Sequence, residues 1–110
     1  MRVAFDVKGT LAGPEKILKL FKWFESKGCQ MVIWSNAYGY TTEIKEKLGL
    51  EAETMSKFGT FDVSDKSEYM DIAIEDDTSQ TWLAAKKLIF VHEVPSDESK
   101  FEELFGGLLG

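Results

Sequence analysis

The feature that most constrains the fold is a series of short apolar segments that each end abruptly in polar residues. These segments cover residues 2–5, 31–34, 71–74 and 88–92. Each is a continuous, mainly apolar run without strict alternation, which predicts a strand covered on both faces. Segments with helical periodicity separate the strands. The sequence therefore predicts an α/β fold: a three-layer α/β/α, Rossmann-like sandwich around a central, mainly parallel sheet.

Helical spacing predicts four helices between and after these strands. The first lies between Pro14 and Gly28, the second spans residues 41–48, the third spans 78–87, and the last follows Ser96 or Ser99. The last helix presents an apolar face made of Phe101, Leu104, Phe105 and Leu108. Residues 51–63 are the least regular segment, and they suggest only a short strand near residues 61–63.

The chain has 110 residues, which fits a single domain over residues 1–110 and leaves no room for a second. Its composition, 44% hydrophobic and 29% charged, is typical of a soluble globular protein. No apolar run approaches the ~20 residues of a membrane helix, and no leader is evident. The lone Cys29 fits a reducing, cytoplasmic environment. The net charge of −6 disfavours nucleic acid as the main partner.

Polar residues that suit metal binding or catalysis follow the strands directly. The first strand ends at Asp6, the second at Ser35 and Asn36, and a later one at the acidic residues 75–77. Ligands of parallel sheets bind beyond the carboxyl ends of the strands, so these residues are expected to meet at one edge. Carboxylates gathered there repel one another unless a cation neutralises them, and Mg²⁺ suits such oxygen ligands.

Four motifs, taken in order, resemble the haloacid dehalogenase-like (HAD) superfamily. Residues 3–11 read VAFDVKGTL, where the family has an apolar strand followed by Asp-x-Asp-Gly-Thr and often Leu. Residues 31–36 read MVIWSN, where the family has a strand ending in Ser or Thr. A lone lysine then precedes a strand with paired acids, read here at residues 72–77. The resemblance covers residues 1 to about 92 and implies a small, capless, Mg²⁺-dependent hydrolase of the phosphatase type.

The resemblance also implies a role for individual residues. Asp6 would be the nucleophile that accepts a phosphoryl group, and it would also bind Mg²⁺. The backbone carbonyl of Lys8 would be a second metal ligand. Asp76, with Asp77 or Glu75, would complete the metal site.

Four further residues are assigned to binding the phosphorylated substrate by the same resemblance. Ser35 would hydrogen-bond a phosphoryl oxygen, and Asn36, Gly9 and Thr10 would belong to the same subsite. Phosphoryl transfer needs an in-line nucleophile and positive charge around three equatorial oxygens. Asp6, a divalent metal, a lysine and a hydroxyl donor would together supply those parts.

Two lysines, Lys66 and Lys57, are candidates for the family's catalytic lysine, which neutralises charge on the phosphoaspartate. Lys66 is preferred, because some small capless members carry this lysine shortly before the acidic strand. Those members also open that strand with an aspartate, much as Asp71 does here.

One position departs from the family pattern. Lys8 stands where family phosphatases have an aspartate that protonates the leaving group and then activates water. Lysine is a poor substitute because its ammonium group transfers a proton badly at neutral pH, and general acid–base catalysis is typically worth ~10²–10⁴-fold. Lys8 could also pair with Asp6 or Asp76. A slow phosphatase, a different reaction and an inactive protein all remain open.

The chain is also shorter than most family members. Only Ala12 and Gly13 separate the first motif from the helix predicted at Pro14, and no cap domain fits. The site is therefore expected to be open to water and to large phosphorylated substrates, such as a macromolecule.

Simpler interpretations exist for most of these residues. Lys8 could be a structural ion-pair partner, Ser35 could cap a turn, and residues 75–77 could be solvated acids before a helix. His92 and Cys29 are interpreted as structural residues.

Two other functions compete with hydrolysis. A catalytically inactive member of the family would keep the fold as a binding or regulatory module. A phosphoacceptor receiver domain shares the parallel sheet, paired acids and a lysine. Its acid pair follows the first strand, however, whereas here a single aspartate comes first.

Overall fold

A computed structural model describes residues 1–37, 39–57, 69–81 and 83–109 of the chain. These residues form strands β1 (Arg2–Phe5), β2 (Gln30–Ser35), β3 (Glu53–Ser56), β4 (Met70–Glu75) and β5 (Ala85–Phe90). The α-helices are α1 (Glu15–Ser26), α2 (Gly39–Leu48) and α3 (Phe101–Phe105). Short 3₁₀ turns cover Val91–Glu93, Glu98–Lys100 and Gly106–Leu109.

The five strands of this part of the chain form one sheet in the order β3-β2-β1-β4-β5. Every neighbouring pair is parallel, and β1 lies at the centre. Val3 of β1 is in register with Met31 of β2 on one side and with Ile72 of β4 on the other. The predicted α/β fold with a parallel sheet is therefore confirmed, as are the strands predicted over residues 2–5, 31–34 and 71–74.

One face of the sheet packs against all three α-helices. The inward residues of α1 recur at helical spacing and are fully buried: Ile17, Leu20, Phe21 and Phe24. Phe5 of β1 packs against Phe21 with ring centroids 5.1 Å apart, and Ile44 of α2 joins the same cluster. This face therefore holds the larger part of the core that the structure describes, because α1, α2 and α3 all bury their apolar sides there.

The opposite face carries a smaller cluster. Its buried members are Ala4, Val32, Trp34, Met70, Ala73 and Leu83. No described helix contributes to this cluster. Most of the connection between β3 and β4 lies in residues 58–68, outside the described residues, and so does the strand predicted near residues 61–63.

The helix predicted over residues 78–87 is wrong. Ala85–Phe90 forms strand β5, which pairs with β4 along its length, while residues 78, 79 and 81 lie in turns and residues 83 and 84 in bends. The Asp77 carboxylate accepts hydrogen bonds from the Ser79 backbone N–H, at 3.0 Å, and from the Ser79 hydroxyl, at 2.6 Å. Such local bonds compete with helix formation. The strand predicted at residues 88–92 instead runs from Ala85 to Phe90, and His92 lies in the 3₁₀ turn that follows it.

The last predicted helix is shorter than expected and has a different cap. The Asp97 side chain, rather than Ser96 or Ser99, accepts the N–H of Ser99 at 3.0 Å. Phe101 is fully buried on α3, whereas Leu104 is 52% exposed. Among the described residues, no helix is long and apolar enough to cross a membrane.

Two substitutions on α3 separate its buried and exposed faces. We expect Phe101→Ala to lower the free energy of unfolding by about 3–5 kcal/mol, because it removes a fully buried ring that packs near Trp23 and Phe105. Leu104→Ala on the same helix should change it by less than about 0.5 kcal/mol. Urea denaturation measures both values, and equal losses would contradict the observed orientation of α3.

Candidate functional site

The candidate site lies at the carboxyl ends of β1 and β4, where the strand order reverses direction. The chain builds β2 and β3 on one side of β1, and then β4 and β5 on the other. This switch point is where parallel α/β sheets open a crevice for a ligand. The Asp6 N–H donates to the Ile74 carbonyl at 3.1 Å, which brings Asp6 beside Glu75, the last residue of β4.

Lys57 is the cation of this site. It directly follows β3, is 1% exposed, and donates from Nζ to Asp6 Oδ1 at 2.8 Å. The same ammonium group donates to Glu75 Oε1, and to Gln80 Oε1 at 3.0 Å. Asp6 and Glu75 are also buried, so one lysine pairs with two carboxyl groups away from water.

Glu75 is satisfied on both of its oxygens. Oε1 accepts from Lys57, and Oε2 accepts the backbone N–H groups of Asp76, at 2.9 Å, and Asp77, at 3.3 Å. Burial raises the pKa of Glu75 to about 8, against a lowering by Lys57 and with a further rise from the Asp6 charge. Burial likewise raises the pKa of Asp6, although the hydrogen bond and charge of Lys57 oppose it.

The turn at Val7–Leu11 brings a hydroxyl between two carboxylates. Thr10 is fully buried, and its Oγ1 lies 3.3 Å from Asp6 Oδ2 and 3.4 Å from Asp76 Oδ1. Gly9 has a φ of +75°, and a β-carbon there would collide with the Asp76 carboxylate. Only glycine lets the backbone of this turn approach Asp76 so closely.

Three carboxylates converge closely enough to hold a metal ion. Oxygen atoms of Asp6, Glu75 and Asp76 all lie within 4.8 Å of one another. Partial burial raises the pKa of Asp76, but hydrogen bonds involving Glu75, Asp6 and Thr10 outweigh it, so the net pKa is lowered. Glu75 is fully buried and accepts three hydrogen bonds, whereas Asp6 is slightly more open and Asp76 is exposed, so Asp6 and Asp76 fit the role of metal ligands better.

The site opens into a cavity of about 290 Å³. Its lining includes most of the predicted site residues: Asp6, Lys8, Ser35, Asn36, Asp76 and Asp77. Lys8 is exposed and forms no ion pair with any described residue, so the expected pairing with Asp6 or Asp76 is absent there. Ser35 Oγ accepts the Ala37 N–H at 3.1 Å, which agrees with a turn-capping role beside the cavity.

One of the predicted metal ligands, Asp77, stands apart from the carboxylate cluster. Asp77 lines the cavity, but its carboxylate accepts from Ser79 and Gln80; the hydrogen bond from the Ser79 hydroxyl lowers the pKa of Asp77. Lys66, the preferred lysine, lies outside the described residues, whereas the alternative, Lys57, contacts Asp6 directly.

Strand β3 was not predicted from the sequence, and without it nothing favoured Lys57 over Lys66. Had residues 53–56 been read as a strand, the rule that functional residues follow strand ends would have selected Lys57. Gln80 was also missed, and nothing in the sequence marks it, since it reaches Lys57 only through the turn after Asp77.

Comparisons with protein-family models, with curated proteins and with solved structures found no match for this chain.

Replacing Glu75 tests the electrostatics of the buried pair. Because the pKa of Glu75 is about 8 when folded and ordinarily 4.5, the folded protein keeps a proton that the unfolded chain releases. The free energy of unfolding should therefore fall as pH rises from about 4.5 to 8, by up to about 1 kcal/mol per pH unit. In Glu75→Gln, the free energy of unfolding measured by urea denaturation should depend less on pH. The slope that remains comes from Asp6, whose pKa is also raised. An unchanged slope would contradict the raised pKa of Glu75.

Replacing Gly9 tests the close approach to Asp76. A left-handed backbone costs about 1–2 kcal/mol for alanine, and this is the loss of stability expected for Gly28→Ala, where φ is +83° and a β-carbon meets nothing. Gly9→Ala should cost more, because the collision with Asp76 is added to the same backbone strain. Thermal and urea denaturation compare the two variants, and equal losses would argue against the contact.

Proposed function

We propose that the chain adopts a capless, three-layer HAD-like fold and acts as a Mg²⁺-dependent phosphatase through an Asp6 phosphoaspartate. We further propose that Lys8 weakens or alters its catalysis. The observation that carries this proposal is the placement of Asp6. It is a buried carboxylate at the switch point of the sheet, held by Lys57 and Thr10, and it borders a cavity shared with Asp76.

Asp6 has the environment that a carboxylate nucleophile needs. An Asp6 oxygen attacks phosphorus, the bond from phosphorus to the ester oxygen breaks, and that oxygen leaves as an alcohol once it gains a proton. Water then attacks the phosphoaspartate, which returns inorganic phosphate and the Asp6 carboxylate. The Lys57 contact at 2.8 Å favours the ionised nucleophile and opposes burial, which raises the pKa of Asp6.

Positive charge around the transferring group would come from two sources. Lys57 is positioned against Asp6 and would neutralise charge on the phosphoaspartate. The carboxylates of Asp6 and Asp76, together with the Lys8 carbonyl, would hold Mg²⁺, which supplies charge to the phosphoryl oxygens when bound. Ser35 and Asn36 border the same cavity and would contact the phosphoryl group from the β2 side.

Lys8 limits the second half of the reaction. Its side chain is exposed, borders the site cavity, and forms no ion pair with a described residue. An ammonium group has no free electron pair with which to take a proton from water, and an exposed amine that has given its proton to the leaving oxygen regains one from solvent before water attacks. Hydrolysis of the phosphoaspartate is therefore the step expected to be slow, so that phosphorylated Asp6 accumulates during turnover.

An inactive binding or regulatory module is the alternative function. One observation favours it: Lys57 already contacts both Asp6 and Glu75, so these buried carboxyl groups have a cation beside them without a metal ion. The response to Mg²⁺ separates the two proposals.

Hydrolysis of an aryl phosphate tests the main proposal. We expect slow turnover that requires Mg²⁺ in the natural protein and none in Asp6→Asn. Lys8→Asp should raise turnover by about 10²-fold, since it restores a group that accepts a proton from water. Release of the phenol, measured with and without Mg²⁺, gives all three rates.

Lys22→Asp is the matched control, because it makes the same charge change at an exposed position on α1. If Lys22→Asp raised turnover equally, the change in overall charge, and not the position of Lys8, would explain the effect. Absence of Mg²⁺-dependent turnover in every variant would favour the binding module.

Neighbouring aspartates provide a test of the metal ligands. With Mg²⁺ at about 100 times its dissociation constant, binding should stabilise the natural protein and Asp77→Asn by about 3 kcal/mol. Asp76→Asn should lose this gain, because Asp76 lies in the carboxylate cluster while Asp77 is bonded to Ser79. Denaturation with and without Mg²⁺ measures the difference. If only Asp77→Asn lost the stabilisation by Mg²⁺, Asp77 rather than Asp76 would be the metal ligand.

A further inference from the structure

A second cavity, of about 190 Å³, adjoins the site cavity. Lys8 and Tyr40 line both cavities, so the two spaces meet at these side chains. Apolar side chains of Val7, Ala12 and Ile44 line the second cavity together with charged residues of α2, and two of them, Val7 and Ile44, are buried residues of the main core. A ligand in this cavity would therefore rest on an apolar surface that includes Val7, the residue after Asp6.

The rim of the second cavity is positively charged. Lys8 and Lys47 supply two positive charges and Glu43 supplies one negative charge, which leaves a net charge of +1. Neither lysine forms an ion pair with a residue that the structure describes. In a protein whose net charge is −6, an apolar cavity bordered by two such lysines is complementary to an apolar group that carries an anion.

The size of the second cavity limits what it can hold. An apolar cavity of about 150 Å³ is large enough for benzene, so about 190 Å³ accommodates one ring with a small substituent. Tyr40, which is 52% exposed, adds an aromatic side chain at the junction of the two cavities. Aromatic pairs gain about 0.5–1.5 kcal/mol beyond the area they bury.

We propose that the second cavity binds the leaving group of a small phosphorylated substrate, and that this group is a single ring bearing an anionic substituent. The proposal rests on the proposed phosphatase function and names its substrate class. The phosphoryl group would lie against Asp6, the ring against Val7 and Ile44, and the anion against Lys47. The second cavity thereby gives an uncapped site a means of holding a small substrate.

Unreactive phosphonates test this assignment without turnover. Methylphosphonate, phenylphosphonate and 4-carboxyphenylphosphonate are titrated by calorimetry in the presence of Mg²⁺. The phenyl group should tighten binding relative to methyl, and the carboxylate should tighten it by a further three- to tenfold, roughly the range of a charge-assisted contact at the surface. Lys47→Gln should abolish the gain from the carboxylate. Lys45→Gln, on the same helix but outside the cavity lining, should retain it.

A phosphorus-free probe separates this proposal from the proposed function. 4-Methylbenzoate is titrated by NMR, and we expect shifts of the Val7 and Ile44 methyl resonances that Lys47→Gln weakens. If these shifts occur but no phosphonate binds more tightly than 4-methylbenzoate, the second cavity is a ligand site and the phosphatase proposal fails. Equal affinity for all three phosphonates, a carboxylate gain that survives Lys47→Gln, or no shift with 4-methylbenzoate would overturn the inference.

Discussion

The ammonium group of Lys57 lies between two buried carboxylates that belong to different strands. Asp6 follows β1, Glu75 ends β4 and Lys57 follows β3, so this contact joins segments from both sides of the central strand. Burying an ion pair adds little net stability, because desolvation offsets the attraction, yet leaving one partner alone costs about 3–5 kcal/mol. The positions of the three side chains are therefore fixed together. The turn at Val7–Leu11 and the residues after β4 are built around that arrangement.

The carboxylates of the site are divided between a dry interior and a wet cavity. Glu75 belongs to the interior, where burial raises its pKa to about 8, whereas the adjacent Asp76 is exposed and has a lowered pKa. Asp6 lies between them: all three line the cavity, but the Asp6 side chain is 9% exposed against 1% for Glu75. Pairs of carboxyl groups with opposite pKa shifts are typical of sites in which acid and base roles differ. Here the division follows from one step along the chain, since β4 ends at Glu75 and the next residue turns towards solvent.

The sequence allowed the centre of the sheet to be predicted, and the edges less well. Continuous apolar runs identify β1, β2 and β4, and the switch-point rule then places Asp6 beside Glu75 and Asp76. The short strand β3 and the edge strand β5 carry exposed lysines and glutamates, so their sequences lack a buried-strand pattern. Residues 78–87 suit a helix locally, and pairing with β4 overrides that preference. The preference for Lys66 over Lys57 was reached without β3, the strand whose end places Lys57 beside Asp6.

The hydroxyl of Thr10 has consequences for how the cavity is hydrated. A hydroxyl group has one proton to donate, and two carboxylate oxygens, from Asp6 and Asp76, lie within 3.4 Å of it. Whichever oxygen receives that proton, the other must find its partner elsewhere. Because Asp76 is exposed and both residues border the cavity, solvent on that side can supply the partner. The same acceptor oxygens lie at the point where an entering ligand first meets the carboxylates.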